Sequence, residues 1–270
     1  MNTLAHNPPM GKTGQSARGA SALRERIQAD VFDLDDTLWP IAPVIERAEK
    51  AMAGWIRANA PDVAARWDVN TLKLLRASLL AANPALANDV MALRRGTIFA
   101  AFDECGGSAD QAAQAFEYFR AERQKVAFYP DALPALERLS PHFRLGVISN
   151  GFANVAAIGI AHHFETVVSA HEVGVSKPAP EIYAACAERM ALAPAQLLYV
   201  GDDPANDVVG PMRAGWSAAW INRSEREWPE TLGGSAFGGN TLDESALGGS
   251  TSPAHQFSGL DDLANWLLGA

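Results

Sequence analysis

Five short apolar runs punctuate the chain: DVFDL near 30–34, RLGVIS at 144–149, TVVSA at 166–170, LLYVG at 197–201 and AAWIN at 218–222. Runs this short, apolar on both alternating faces, read as strands buried on both sides of a parallel sheet. Helical patterns separate most of them. PDALPALERLS precedes the second run, and PAPEIYAACAERMAL lies between the third and fourth, with Pro180 in the first turn, where proline is tolerated. NDVVGPMRAG leads into the fifth. Strands alternating with helices predict an α/β fold, a doubly wound, mainly parallel sheet with right-handed crossovers.

Between the first and second runs the period changes. PVIERAEKAMAGWI sets Val44, Ile45, Ala48, Met52, Trp55 and Ile56 on one helical face. VNTLKLLRASLLAAN and NDVMALRRGTIFAAFDEC continue in the same style, and Ser108 with Gln111 has the form of a capping box before AAQAFEYFRAERQKV. About four helices without a strand predict an all-α cap at 43–127, inserted into a core formed by 29–42 and 128–270. The Arg94–Arg95 pair of this region is expected on a solvent-exposed helix face. Residues 224–258, with LGGS twice and FGG, are expected to be a Gly/Ser-rich loop, and GLDDLANWLL a closing helix. Residues 1–28 read as a flexible, mildly basic tail without the apolar centre of a secretory signal. GKT at 11–13 lacks the glycine a phosphate-binding P-loop requires, because His6 stands there.

Composition narrows the function classes. A hydrophobic content of 48% suits a packed globular protein, and no apolar run reaches the roughly 18 residues of a membrane span. The net charge of −9 opposes broad nucleic-acid binding but leaves room for a phosphorylated small molecule beside a cation. Cys105 and Cys186 form neither a disulfide framework nor a zinc spacing, so a cytoplasmic setting is expected. His162, His163 and His171 gain no role, since paired ligands on a helix need i, i+4 spacing.

Acids collect where the strands end. Asp33 closes the first strand and Asp35 follows two residues on, so an extended backbone points both the same way. Such a pair needs a cation or a shared proton. Ser149, Asn150 and Gly151 end the second strand; Asp202 and Asp203, then Asp207, end the fourth; SKP places Lys177 before a helix. Open α/β sheets bind ligands on this rim. Carboxylate oxygens suit Mg²⁺, and lysine, hydroxyl and backbone N–H groups suit phosphate.

DLDDT at 33–37, ISNG at 148–151, SKP and GDDPANDVVG together resemble the four motifs of the haloacid dehalogenase superfamily, specifically its phosphatases with a helical cap after the first strand of a Rossmann-like core. The resemblance runs from about 29 to 222. It implies Asp33 as nucleophile and Asp35 as acid and base. It implies Mg²⁺ held by Asp33, the Asp35 carbonyl and Asp202, with Asp203 and Asp207 behind them. It implies Ser149, Asn150, Lys177 and Thr37 on the phosphate of a small metabolite. APVIERAEKAM, NDVMALRRGTI and VGDDPANDVVG are further similar to bacterial phosphatases acting on flavin mononucleotide and on 5-amino-6-(5-phosphoribitylamino)uracil. Dehalogenase, phosphonate-cleaving (through Lys50 or Lys73), mutase and non-catalytic readings remain as alternatives. Asp35 and the Asp202 cluster weigh against a dehalogenase, because a halide leaves without an acid. Trp39 is placed equally well by packing and by substrate stacking. Pro211 is expected to shorten the helix after the fourth motif.

Overall fold

The computed structural model describes residues 23–229, 232 and 254–269. Six strands form one sheet in the order β3-β2-β1-β4-β5-β6, every neighbouring pair parallel: β1 (Ala29–Phe32), β2 (Arg144–Ser149), β3 (Thr166–Ser169), β4 (Leu197–Gly201), β5 (Ser217–Ile221) and β6 (Ala254–Phe257). Five are the runs expected from the pattern. The sixth corrects the expected loop at 224–258: its last residues before Ser258 pair with β5, Phe257 opposite Ile221. The rest of the Gly/Ser-rich stretch beyond 232, like the tail through residue 22, lies outside the described residues.

Both sheet faces are dry. Phe32, Val147, Leu198 and Val200 pack on one side against Leu136, Leu139, Leu263 and Leu267. Val31, Ile148 and Tyr199 pack on the other against Ile182, Cys186, Met190 and Trp216. Leu23 and Ile27 also join the first layer, so the chain is already anchored ahead of β1. Asp30 is an exception within this interior. It is fully buried, registered between Leu145 and Leu198, and neither carboxylate oxygen has a hydrogen-bond partner.

Helices fill the segment between β1 and β2: α1 (Ile41–Asn59), α2 (Pro61–Arg66), α3 (Val69–Ala82), α4 (Val90–Glu104) and α5 (Ala109–Arg123). They own a separate apolar core that joins Ala48, Met52 and Ile56 to Ile98, Phe102, Phe116 and Phe119. Its termini are capped as polar side chains permit. Ser108 Oγ accepts the Gln111 N–H at 3.1 Å, and Gln111 Oε1 accepts the Ser108 N–H at 3.3 Å. The helical stripe on α1 holds, with Val44, Ala48, Met52 and Ile56 buried. Arg94 departs from its expected solvent-facing place. Its side chain is only 7% exposed and donates to Glu49 Oε1 at 3.0 Å, while Arg95 stays exposed. Glu49, buried among helices, needs a cation there, and Arg94 supplies it. Burial, with the Arg76 charge next, pushes the Arg94 guanidinium down to about 10.

Candidate active site

β1 lies between β2 and β4, so the strand order reverses beside it, and the carboxyl ends of these three strands face one crevice. The Asp33 N–H donates to the Val200 carbonyl at 2.8 Å and carries the pairing one residue past β1. Then the chain turns sharply. Asp36 adopts φ 60°, its N–H donates to the Trp39 carbonyl at 2.7 Å, and its Oδ1 accepts the Ile41 N–H at 3.0 Å. A short acid tolerates this left-handed conformation because its side chain bonds locally. The same carboxylate starts α1, whose first N–H groups otherwise lack partners.

Asp33 and Asp35 line the same cavity but are gripped from different sides. Asp33 Oδ1 accepts from Lys177 Nζ at 2.7 Å. Asp35 accepts from Arg123 Nη2 at 2.6 Å on Oδ1 and 2.7 Å on Oδ2, and from the Trp39 indole at 2.9 Å. Trp39 is fully buried with its ring edge-on to Phe128, so packing is its role, together with orienting Asp35.

Lys177 spends its three ammonium donors on Asp33, on Asp207 Oδ1 at 2.8 Å and on the Tyr199 hydroxyl at 2.7 Å. Its backbone is locked to the end of β2: the Lys177 N–H donates to Asn150 Oδ1 at 2.8 Å, and Asn150 Nδ2 donates to the Lys177 carbonyl at 3.0 Å. Ser149 is buried, and its Oγ accepts the Gly151 N–H at 3.0 Å. Past β4, Asp203 Oδ1 caps the next helical turn through the Ala205 and Asn206 N–H groups at 3.0 and 2.8 Å. Asp207 Oδ2 reaches back to the Asp203 N–H at 2.9 Å. That turn is wide, a π-helix over Pro204–Val209 followed by α-helix only at Gly210–Arg213, the short helix expected around Pro211.

Asp207 fits only because Gly201 has no side chain. A Cβ at Gly201 would overlap the Asp207 carboxylate, which is buried and ion-paired and cannot yield cheaply. Gly201→Ala is therefore expected to lower unfolding free energy by about 1–3 kcal/mol, measured by urea denaturation.

Burial pushes Asp33 well above the usual carboxylate range, against the pull of Lys177. Burial raises Asp207 likewise. Burial disfavours the Lys177 charge, but Asp207 and Asp33 outweigh it and hold Lys177 above its ordinary value. Asp202 is pushed up to about 7 by burial, then by Asp207 and Asp36, despite Arg226. The crevice thus carries more negative charge than its own cations balance. Carboxylate oxygens of Asp33, Asp202 and Asp207 lie within 4.8 Å of one another.

Eight of the nine residues chosen from sequence, Asp33, Asp35, Ser149, Asn150, Lys177, Asp202, Asp203 and Asp207, line one cavity of about 160 Å³ with Gly151 and Asn206. Thr37 does not. It is buried behind the turn, and its carbonyl accepts from Arg223 Nη2 at 3.1 Å. Sequence reasoning missed two cations, Arg123 on Asp35 and Arg226. Arg226 Nη2 donates to the Asp202 carbonyl at 2.6 Å and to its Oδ2 at 3.1 Å. Lys50 and Lys73 sit elsewhere, exposed beside Glu46 and Glu49.

A parallel sheet with acids on its carboxyl rim beneath an inserted helical layer defines a class of α/β hydrolases. The chain belongs to the haloacid dehalogenase-like hydrolase family, which matches residues 27–215. It is 31% identical over 210 residues to the 5-amino-6-(5-phospho-D-ribitylamino)uracil phosphatase YigB of Escherichia coli K12, covering 76% of this chain and 88% of that protein. It is 30% identical to the glyceraldehyde 3-phosphate phosphatase of Methanopyrus kandleri, covering 74% and 85%. Among solved structures, the 2-haloacid dehalogenase of Pseudomonas syringae pv. tomato DC3000 is similar with a TM-score of 0.76 and 31% identity, covering 90% of this chain and 99% of that one. Among the described residues no helix is long and apolar enough to cross a membrane.

Proposed function

We propose that this hydrolase is a Mg²⁺-dependent phosphomonoesterase that works on a small phosphorylated metabolite through an aspartyl-phosphate. One observation carries the reading: carboxylate oxygens of Asp33, Asp202 and Asp207 converge within 4.8 Å of one another, and Lys177 serves only Asp33 and Asp207 among them. The donor set fits the ion. All three residues offer hard carboxylate oxygens, and Asp33 Oδ2 and Asp202 Oδ1 are bonded by no described residue, whereas both Asp207 oxygens are engaged. Asp33 and Asp202, with the Asp35 carbonyl, would hold Mg²⁺, and Asp207 would stay on Lys177. When bound, the ion offsets charge between the anionic nucleophile and the anionic ester.

The chain's own residues perform the transfer. An Asp33 oxygen attacks phosphorus, an O–P bond forms and the ester P–O bond breaks as Asp35 gives its proton to the leaving oxygen. Water then attacks the aspartyl-phosphate, Asp35 takes the water's proton, and inorganic phosphate leaves with Asp33 restored. The Ser149 hydroxyl and the Asn150 N–H suit the phosphoryl oxygens, in a transition state that rewards positioning above all.

The E. coli relative puts 5-amino-6-(5-phospho-D-ribitylamino)uracil at the head of the substrates to try, and flavin mononucleotide, which carries the same ribityl phosphate, comes next. The dehalogenase-like structure supports a second reading, hydrolysis of a 2-haloacid by the same Asp33. Asp35 favours the phosphate ester, since a halide needs no proton. A panel of phosphomonoesters and 2-chloropropionate, assayed with Mg²⁺ and with EDTA, decides between them. Phosphate release falling at least about 100-fold in EDTA is expected. Halide release unaffected by EDTA, with no phosphate release, would reverse the assignment.

A further inference from the structure

Arg123 is a buried cation that none of the four motifs contains. It closes α5, the last helix of the insertion, and its side chain is 2% exposed. One nitrogen, Nη2, sits between both Asp35 oxygens, at 2.6 and 2.7 Å. The other, Nη1, is buried with no partner, so the guanidinium forgoes a hydrogen bond to keep this pose. Its plane is flanked by the Phe152 ring, 5.8 Å from the guanidinium carbon, and Phe152 packs on Phe119 of α5. Gly151 abuts this contact: a Cβ there would stand 3.0 Å from Asp35 Oδ2 and 3.8 Å from Arg123 Nη2.

No other cation serves Asp35 among the described residues. Lys177 has all three donors committed elsewhere, and Arg226 is on Asp202. Trp39 adds one hydrogen bond from an uncharged donor, at one oxygen. A cation that reaches both oxygens fixes a carboxylate's orientation more firmly than one uncharged donor at a single oxygen.

Resting on the reading of Asp35 as acid and base, the geometry points to Arg123 as the positioning residue for that carboxylate, supplied by the helical insertion. It touches neither phosphorus nor a metal-facing oxygen, since its contacts are to the Asp35 side-chain oxygens and not to the carbonyl. It sets where the proton is delivered. Proton delivery matters in proportion to how poor the leaving group is, so the effect of losing Arg123 depends on the ester.

The test uses the full chain with Mg²⁺ and compares Arg123→Met, Arg123→Lys and Asp35→Asn on an alkyl phosphate and on p-nitrophenyl phosphate. Because p-nitrophenolate leaves unprotonated, kcat/KM for the aryl ester is expected to fall less than about tenfold in Arg123→Met. The alkyl ester is expected to fall about 100-fold. Arg123→Lys is expected to restore part of the alkyl rate, and Arg123→Met added to Asp35→Asn to cost nothing further. Equal losses on both esters, no loss on either, or full additivity with Asp35→Asn would overturn the assignment. If Arg123→Met does not fold, the alkyl-to-aryl ratio of Arg123→Lys decides, an unchanged ratio counting against. A wild-type chain that hydrolyses neither ester sinks the phosphatase reading instead, and leaves a different signature.

Discussion

Asp33→Asn is expected to abolish turnover, by a factor on the order of 10³ or more, while the protein becomes no less stable. The two halves of this expectation come from one environment. The amide is nearly isosteric with the carboxylate, and its oxygen can still accept from Lys177, which now holds Asp33 at 2.7 Å. What disappears is the negative charge that attacks phosphorus. That charge is also unwelcome in the resting protein, because burial lifts Asp33 well above its ordinary range and Asp207 and Asp35 add repulsion. Removing it relieves a crowded crevice. Turnover assays alongside thermal unfolding check both halves; an Asn variant retaining even a tenth of the activity removes Asp33 from the role of nucleophile.

The second large effect is on stability. Asp30→Asn is expected to raise stability at alkaline pH and flatten its pH dependence. Asp30 is fully buried in β1 without a hydrogen-bond partner, and burial alone pushes it up to about 8 from 3.8. The folded protein therefore holds a proton that the unfolded chain has released. Stability from this group is greatest at low pH and declines as pH rises from about 4 towards 8, where the folded carboxyl finally ionises. Each unit corresponds to about 1.4 kcal/mol, so the stretch from about pH 5 to pH 8 costs on the order of 4 kcal/mol. The amide does not titrate, so urea midpoints for the variant should lack this slope. Parallel slopes for variant and wild type would mean that Asp30 is solvated.

Much of the architecture was legible because its signals are local. Strands buried on both faces must be apolar throughout, and RLGVIS and LLYVG have no other use. Acids directly behind such runs stood out, since a strand terminus in the interior seldom tolerates charge. The helical insertion announced itself through the stripe at Val44, Ala48, Met52 and Ile56 and through the Ser108–Gln111 cap.

What stayed hidden depends on partners far away in sequence. Arg123 and Arg94 look like ordinary charges on amphipathic helices, and only the opposing acids, Asp35 and Glu49, bring them inside. Asp30 is one acid in a four-residue strand, and nothing local distinguishes a buried carboxyl from an edge one. The AHQF stretch of β6 carries two polar residues in four and becomes a strand only because β5 offers it an open edge. Thr37, two residues from Asp35, turned inward because the left-handed Asp36 swings the chain.

The order of the strands also shapes how the molecule comes into being. β1 emerges first, yet both its neighbours, β2 and β4, follow the entire helical insertion. Contacts within the helices are short in sequence and close quickly, whereas parallel pairing across such loops is slow. Asp33, Ser149, Lys177 and Asp202 come from separate stretches of the chain and meet only when β4 seats beside β1. Chemical competence is thus the last property acquired during folding, and recovery of activity after denaturation will time the closure of the sheet rather than the return of helix.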